Sequence, residues 1–207
     1  MPFESKFTYR YTSAGREAKG MRRSRTLTRQ CILDAAYGLF WRHGFLRVSM
    51  DDIAARADLT KRALYQHFRS KDDLITAALA HSSELAIARL RGFHRPTNGD
   101  DLIDSFFTEL AQWAAKPRWS GGGFTRVVVE LADLRGHPAR AIARQHKTAV
   151  EKWLADALAA ARIPSPRDRA QEVMLLLEGT MVLMLIHGDP SYAKAAARAA
   201  KTLVRKR

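Results

Sequence analysis

The segment Ser49–Lys71 constrains this chain more than any other. Ser49 offers a hydroxyl to the orphan N–H groups of a helix's first turn. Asp52, three residues on, puts negative charge on that turn. Val48 and Ile53 are spaced as a hydrophobic staple, and Ile53 with Ala57 forms an inward face. Asp58 sits where the chain must turn, and aspartate tolerates the left-handed backbone that glycine more often supplies. Thr60 then caps a helix predicted over Lys61–Phe68. Ser70 caps another that starts at Lys71, with Asp73 at its third position. Two short helices joined by a tight turn, followed at once by a third, is the layout that presents one helix to the DNA major groove.

The helix after the turn supports that reading. At 100° per residue, Lys61, Arg62, Tyr65, Gln66 and Arg69 share one polar arc, while Leu64 and Phe68 lie i,i+4 on another face and can pack inward. Lys61 and Arg62 can reach guanine edges or phosphates, Gln66 an adenine, and Tyr65 a phosphate or a thymine methyl. Thr60, at the cap, belongs to the same DNA-facing set. A polar arc alone reads more readily as the solvated face of a small bundle; its place after a capped helix and a tight turn in a basic region reverses that and favours DNA.

The charge points the same way. The net charge is +14, and residues 1–30 hold eight Lys/Arg against Glu4 and Glu17. Residues 31–71 hold seven Lys/Arg against four Asp. A basic end on a less basic body implies a polyanion partner at that end. The basic segments form no long amphipathic helix with a bulky apolar face, which argues against a membrane surface. No apolar run approaches the ~18 residues of a membrane span, so no membrane partner is expected. The single cysteine, Cys31, excludes an internal disulfide and fits a cytoplasmic protein. Residues 1–26 read as a flexible basic arm. Its Arg22, Arg23 and Arg25 either enter a flanking minor groove or belong to a solubilising tail.

The remaining chain reads as helices. Thr28–His43 carries Ile32, Ala35, Ala36, Leu39 and Phe40 on one face, and Gly44 ends it. Further helices are predicted from Lys71 to about Gly92, over Asp101–Ala115, over Phe124–Leu134, from Pro138 to about Ala161, over Asp168–His187 and over Ser191–Val204. Strand-like alternation is absent. The predicted fold is all-α: a three-helix helix-turn-helix domain at 27–72 and a helical domain at 73–207.

Residues 27–75 resemble the N-terminal domain of the TetR (tetracycline-repressor-like) family of bacterial transcription regulators. The family's pattern of Ile-Ala, Ala-Gly-Val-Ser, Leu-Tyr, an aromatic and Lys stands here as Ile53-Ala54, Ala57-Asp58-Leu59-Thr60, Leu64-Tyr65, Phe68 and Lys71. Asp58 replaces the usual turn glycine, and Ala63 a commonly hydroxylated residue. The resemblance implies phosphate contacts from Ser49, Tyr65, His67 and Lys71 and base reading by Lys61 and Arg62. More loosely, Phe124–Glu130, His137-Pro138 and Leu177-Glu178-Gly179 resemble landmarks of one common C-terminal type. That implies a small-molecule effector of unknown identity and a homodimer built on the last two helices of each subunit.

The residues agree with that implication without forcing it. The helix 168–187 is apolar around much of its surface. Gly179 and the alanines of 195–200 permit close helix approach, so Gly179, Leu183, Ala196, Ala200 and Leu203 are candidates for a dimer interface; packing inside one subunit is the alternative. A two-fold pair also suits DNA, because half-sites lie about 34–36 Å apart. Phe106, Leu110, Trp113, Phe124, Trp153, Met174, Leu177 and Met181 are candidates for an adaptable apolar pocket, though at helical spacing such residues are more often plain core. Glu130 and Glu178 interrupt apolar runs, so each must bond a ligand's polar group or an arginine of a neighbouring helix.

No catalytic or metal motif stands out. The seven histidines are scattered, with no His-x-x-x-His pair, and Gly121–Gly123 lacks the following Lys-Ser/Thr of a phosphate loop. Neither enzyme activity, metal nor cofactor is expected. The reading is a ligand-modulated regulator, most simply a repressor, that binds a near-palindromic double-stranded DNA operator as a dimer. The alternatives are a non-specific, charge-driven architectural DNA-binding protein and a small-molecule carrier with a vestigial DNA head.

Overall fold

The computed structural model describes residues 25–92, 98–117 and 119–205. Among them are nine helices: α1 (Arg25–His43), α2 (Met50–Arg56), α3 (Lys61–Tyr65), α4 (Lys71–Arg91), α5 (Gly99–Ala114), α6 (Gly123–Glu130), α7 (Pro138–Ala160), α8 (Pro166–His187) and α9 (Ser191–Arg205). No described residue is in a strand. The chain divides into two compact units, Met1–Ser82 and Ser83–Arg207. The expected boundary at 72/73 falls inside α4, whose Leu74, Ile75, Ala78 and Leu79 are buried. Arg22 and Arg23 of the basic arm lie outside the described residues, whereas Arg25 already begins α1.

In the first unit the caps stand where the sequence puts them. Gly44 takes φ 94° and its N–H donates to the Phe40 carbonyl at 2.9 Å, which ends α1 and lets Phe45 stack on Phe40. Ser49 and Asp52 form a full capping box on α2: the Ser49 hydroxyl accepts from the Asp52 N–H at 3.1 Å, and the Asp52 carboxylate accepts from the Ser49 N–H at 2.9 Å. That pairing holds the Asp52 carboxyl below its ordinary range, chiefly through the Ser49 hydrogen bonds. The α2–α3 turn closes with two bonds, Leu59 N–H to Ala54 O and Asp58 N–H to Ala55 O. This is the Schellman arrangement, and it requires the left-handed residue. Asp58 supplies it at φ 56°.

A side chain in that conformation costs about 1 kcal/mol relative to glycine. Asp58→Gly should therefore stabilise the first unit by about 0.5–1 kcal/mol, part of the gain being lost to the freer unfolded chain. Urea midpoints of the two proteins measure this; an unchanged or lower midpoint would show that the aspartate side chain contributes more than its strain costs.

The second unit packs α5, α7, α8 and α9 around Leu102, Ile103, Phe107, Leu154, Leu158, Ala170 and Val173, all nearly inaccessible. Small residues set the closest approaches: Ala193, Ala196, Ala197 and Ala200 of α9 are buried, and a Cβ on Gly99 would meet Ile163 Cδ1 at 2.7 Å. Ion pairs from Lys201 to Asp104 and from Arg205 to Asp100 join α9 to α5.

Several boundaries differ from expectation, each for a local reason. α5 begins at Gly99 because the Asn98 side chain accepts from the Asp101 N–H at 2.8 Å. α6 stops at Glu130 rather than Leu134, and Arg140 Nη1 donates to the freed Leu131 and Ala132 carbonyls. α3 stops at Tyr65 rather than Phe68, although Phe68 N–H still donates to Leu64 O at 3.1 Å. α8 is, by length and composition, apolar enough to cross a membrane, with a mean hydropathy of 1.4, contrary to the sequence expectation. One of its faces, through Val173, Leu177, Met181 and Met184, is buried, and a helix covered on that side reaches such hydropathy as core.

Candidate nucleic-acid interface

The geometry of α3 separates anchor from reader. Leu64 and Phe68 are buried to 0% and 1% exposure, and the Arg29 guanidinium lies 4.9 Å from the Phe68 ring centre. The opposite side is open: Thr60, Lys61, Arg62, Tyr65, Gln66 and Arg69 are all exposed. Thr60 caps the helix, its hydroxyl accepting from the Ala63 N–H at 3.1 Å. The capped N-terminus is thus held rigidly with its basic residues outward.

Several of these side chains already have partners. Lys61 Nζ pairs with the Asp51 carboxylate at 2.9 Å, and Asp51 raises the lysine's pKa. The pair ties the exposed face of α2 to α3 and holds the lysine charged. Lys71 Nζ donates to the Leu46 carbonyl at 2.7 Å, which anchors the start of α4 to the α1–α2 connection. His67 has its pKa lowered, first by burial and then by the charges of Arg25 and Arg29. The Ser49 hydroxyl is engaged in its capping box. Of the residues expected to face DNA, Arg62 and Tyr65 on α3 and Gln66 at its C-cap are exposed. A groove of about 760 Å³ beside α2, lined by His43, Arg47, Asp52 and Arg56 among others, adds arginines that the helix wheel of α3 could not reveal.

The effector candidates of the second unit divide. Phe124, Met174 and Glu178 line a cleft of about 700 Å³ bounded by α6, α7, α8 and the turn before α7. Leu110, Trp153, Leu177 and Met181 are buried in the core, with Phe106 and Trp113 packed against it. None of these six is in the lining of that cleft; Phe106 stacks on Trp153 instead. Both carboxylates have partners within the chain, though neither partner is an arginine of a neighbouring helix. Glu130 accepts from Arg126 Nε at 2.6 Å. Glu178 accepts from Lys147 Nζ and, at 2.6 Å, from Thr125 Oγ1. Sequence reasoning missed the basic lining of the cleft, Arg135, Arg140, Arg144 and Lys147. Three of these stand at i, i+4 and i+7 on α7, a spacing that could have disclosed them.

The dimer candidates divide too. Gly179 and Leu183 are exposed on α8, beside Leu175, Val182, Leu185 and Ile186. Ala196 and Ala200 are corrected: they are buried at 7% and 0% exposure in their own subunit, because small side chains are what let α9 approach α5 and α8. Leu203 is half-buried. Among the described residues no group of three or more His, Cys, Asp or Glu is placed to hold a metal ion.

Comparison with known proteins agrees with this geometry. Residues 32–78 match the sequence model of "Bacterial regulatory proteins, tetR family". The chain is 38% identical over 77 residues to the HTH-type transcriptional regulator UidR of Escherichia coli (strain K12), a match covering 37% of this chain and 38% of that protein. The chain thus spans under half the length of this curated relative. Its fold is similar to that of reduced E. coli NemR, with TM-score 0.77, 21% identity and coverage of 84% of this chain and 96% of that one. It is also similar to the multidrug binding protein EbrR complexed with proflavin, with TM-score 0.62, 26% identity and coverage of 85% and 99%. The capped helix-turn-helix thus carries the tetR-family sequence pattern over residues 32–78, in a chain whose helical fold is similar to those of NemR and EbrR.

Proposed function

We propose that this chain is a one-component transcriptional regulator, acting as a repressor in the cytoplasm. It binds a near-palindromic operator as a homodimer and is modulated by a small molecule held in its second unit. The observation that carries the reading is α3, with Leu64 and Phe68 sealed inward and Lys61, Arg62, Tyr65 and Gln66 outward. Lys61 and Arg62 read base edges; Tyr65, His67, Ser49 and Lys71 contact phosphates. Lys61 reaches DNA by exchanging its Asp51 partner, and Ser49 and Lys71 likewise must share or release theirs.

The exposed apolar residues of α8 support the dimer. Leu175, Gly179, Val182, Leu183 and Ile186 recur at helical spacing on the side away from the subunit core, a stripe that a second copy would cover. EbrR's complex with proflavin supports a small-molecule effector here. α4 belongs to both units, so a ligand that prefers one of its conformers shifts DNA binding only by the ratio of its two affinities.

The test is selection of an operator from a random duplex pool, then titration at fixed salt. The selected site should bind ~10³-fold or more tighter than random DNA, and the complex should sediment with two chains. Tyr65→Ala should weaken selected and random duplexes alike. Lys61→Ala or Arg62→Ala should also erase one base preference, worth about 1–3 kcal/mol. Equal affinity for selected and random duplexes would instead favour the charge-driven architectural protein.

A further inference from the structure

Resting on the reading of the second unit as effector-binding, we infer that its cleft selects an amphiphilic organic anion: an apolar body carrying a carboxylate or phosphate head. Phe124, Val128 and Met174 give the cleft an apolar lining. Cations line it too. Arg140, Arg144 and Lys147 project along one side of α7, and Arg135 joins them from the preceding turn.

The charge balance decides the ligand's sign. The one carboxylate in the lining, Glu178, is already bonded by Lys147 Nζ and Thr125 Oγ1, so that pair is internally neutral. Three guanidinium groups remain. Arg140 donates to the backbone carbonyls of Leu131 and Ala132, which orients it without neutralising it. Arg135 and Arg144 are exposed, and neither has a carboxylate partner among the described residues. Three like charges on one cleft repel one another and repel a cationic ligand. An anion relieves that repulsion, and the planar fork of arginine matches carboxylate and phosphate oxygens. The apolar part of the lining makes a bare inorganic ion a poor fit and favours a molecule that covers Phe124 and Met174 as well.

The experiment uses the full chain and four ligands with one tail and different heads: octanoate, octyl phosphate, octanol and octyltrimethylammonium. Calorimetric titration should give dissociation constants for one or both anions about tenfold or more below that of octanol, the strength of a charge-assisted hydrogen bond. The ammonium compound should bind weakest. The order of the two anions identifies the head. The double variant Arg135→Gln/Arg144→Gln, which alters only exposed side chains, should lose about tenfold for the anions and bind octanol unchanged.

Octanol binding as tightly as both anions, or the double variant binding all four as the parent does, would overturn the inference. So would a parallel loss of affinity for random duplex DNA in that variant, since the arginines would then serve nucleic acid. A chain that keeps the anion preference but discriminates among no duplexes would sink the regulatory reading and leave the ligand class standing.

Discussion

Phe68→Ala is expected to destabilise the first unit by about 3–5 kcal/mol and to abolish selective DNA binding. The Phe68 ring is 1% exposed, and its removal leaves a cavity in a small core that has little else to collapse into it. The unit's whole stability is on the order of 5–15 kcal/mol, so the loss is a large share of it. The loss is also local to the reader: Phe68 N–H closes the turn onto Leu64 O, and Arg29 packs over the ring. Urea unfolding followed by far-ultraviolet circular dichroism measures the change. Tyr65→Ala, three residues away and exposed, is the control, with an effect within about 0.5 kcal/mol. A Phe68→Ala midpoint equal to that control would show that the ring does not anchor α3.

The second large effect is a loss of stability in acid that originates at His146. This imidazole is buried, stacked 3.7 Å from the Phe124 ring centre, and hydrogen-bonded through Nδ1 to the Ser83 hydroxyl at 3.0 Å. Burial first, and the charge of Lys147 second, lower its pKa from 6.5 to about 4. Between those values the unfolded chain holds a proton that the folded chain does not. Stability is therefore complete above pH 6.5 and falls as the pH drops toward 4. At about 1.4 kcal/mol per unit the loss amounts to about 3 kcal/mol. His146→Phe keeps a ring against Phe124 and cannot titrate. Its unfolding free energy, from urea titrations at pH 7, 5.5 and 4.5, should fall between the first and last by about 2–2.5 kcal/mol less than the parent's. Parallel slopes in the two proteins would remove His146 as the cause. Phe124 also lines the cleft, so ligand binding should weaken over the same window.

How much of this was legible in the sequence differs by region. The helix-turn-helix was readable because its signals are local. A cap, a left-handed turn residue and an i,i+4 apolar pair each act within about one helical turn, so Ser49, Asp58, Thr60, Leu64 and Phe68 declared their roles in order. The polar arc of α3 followed by geometry alone. The end of α3 is not legible in the residue pattern, because the bonds that tighten its last turn keep helical spacing through Phe68.

The second unit was harder. Aromatic and methionine residues at helical spacing mark both core and cavity, and only packing separates Trp153 and Leu177, which are buried in the core, from Phe124 and Met174, which line a cleft. Alanines permit close approach without naming the neighbour, so Ala196 and Ala200 were as consistent with a partner subunit as with α5.

By itself the sequence determined that the chain is helical, where α2 to α4 begin, and that one short helix turns its basic side outward. Those outcomes depend on interactions between residues a few positions apart. Tertiary structure alone decided that Lys147 pairs with Glu178 while Thr125 donates to it, that three arginines share a cleft whose one lining carboxylate is already engaged, and which face of α8 stays uncovered. Each depends on groups distant in the chain that meet only when helices pack, and packing is selected by the total fit of the core, which no single segment specifies.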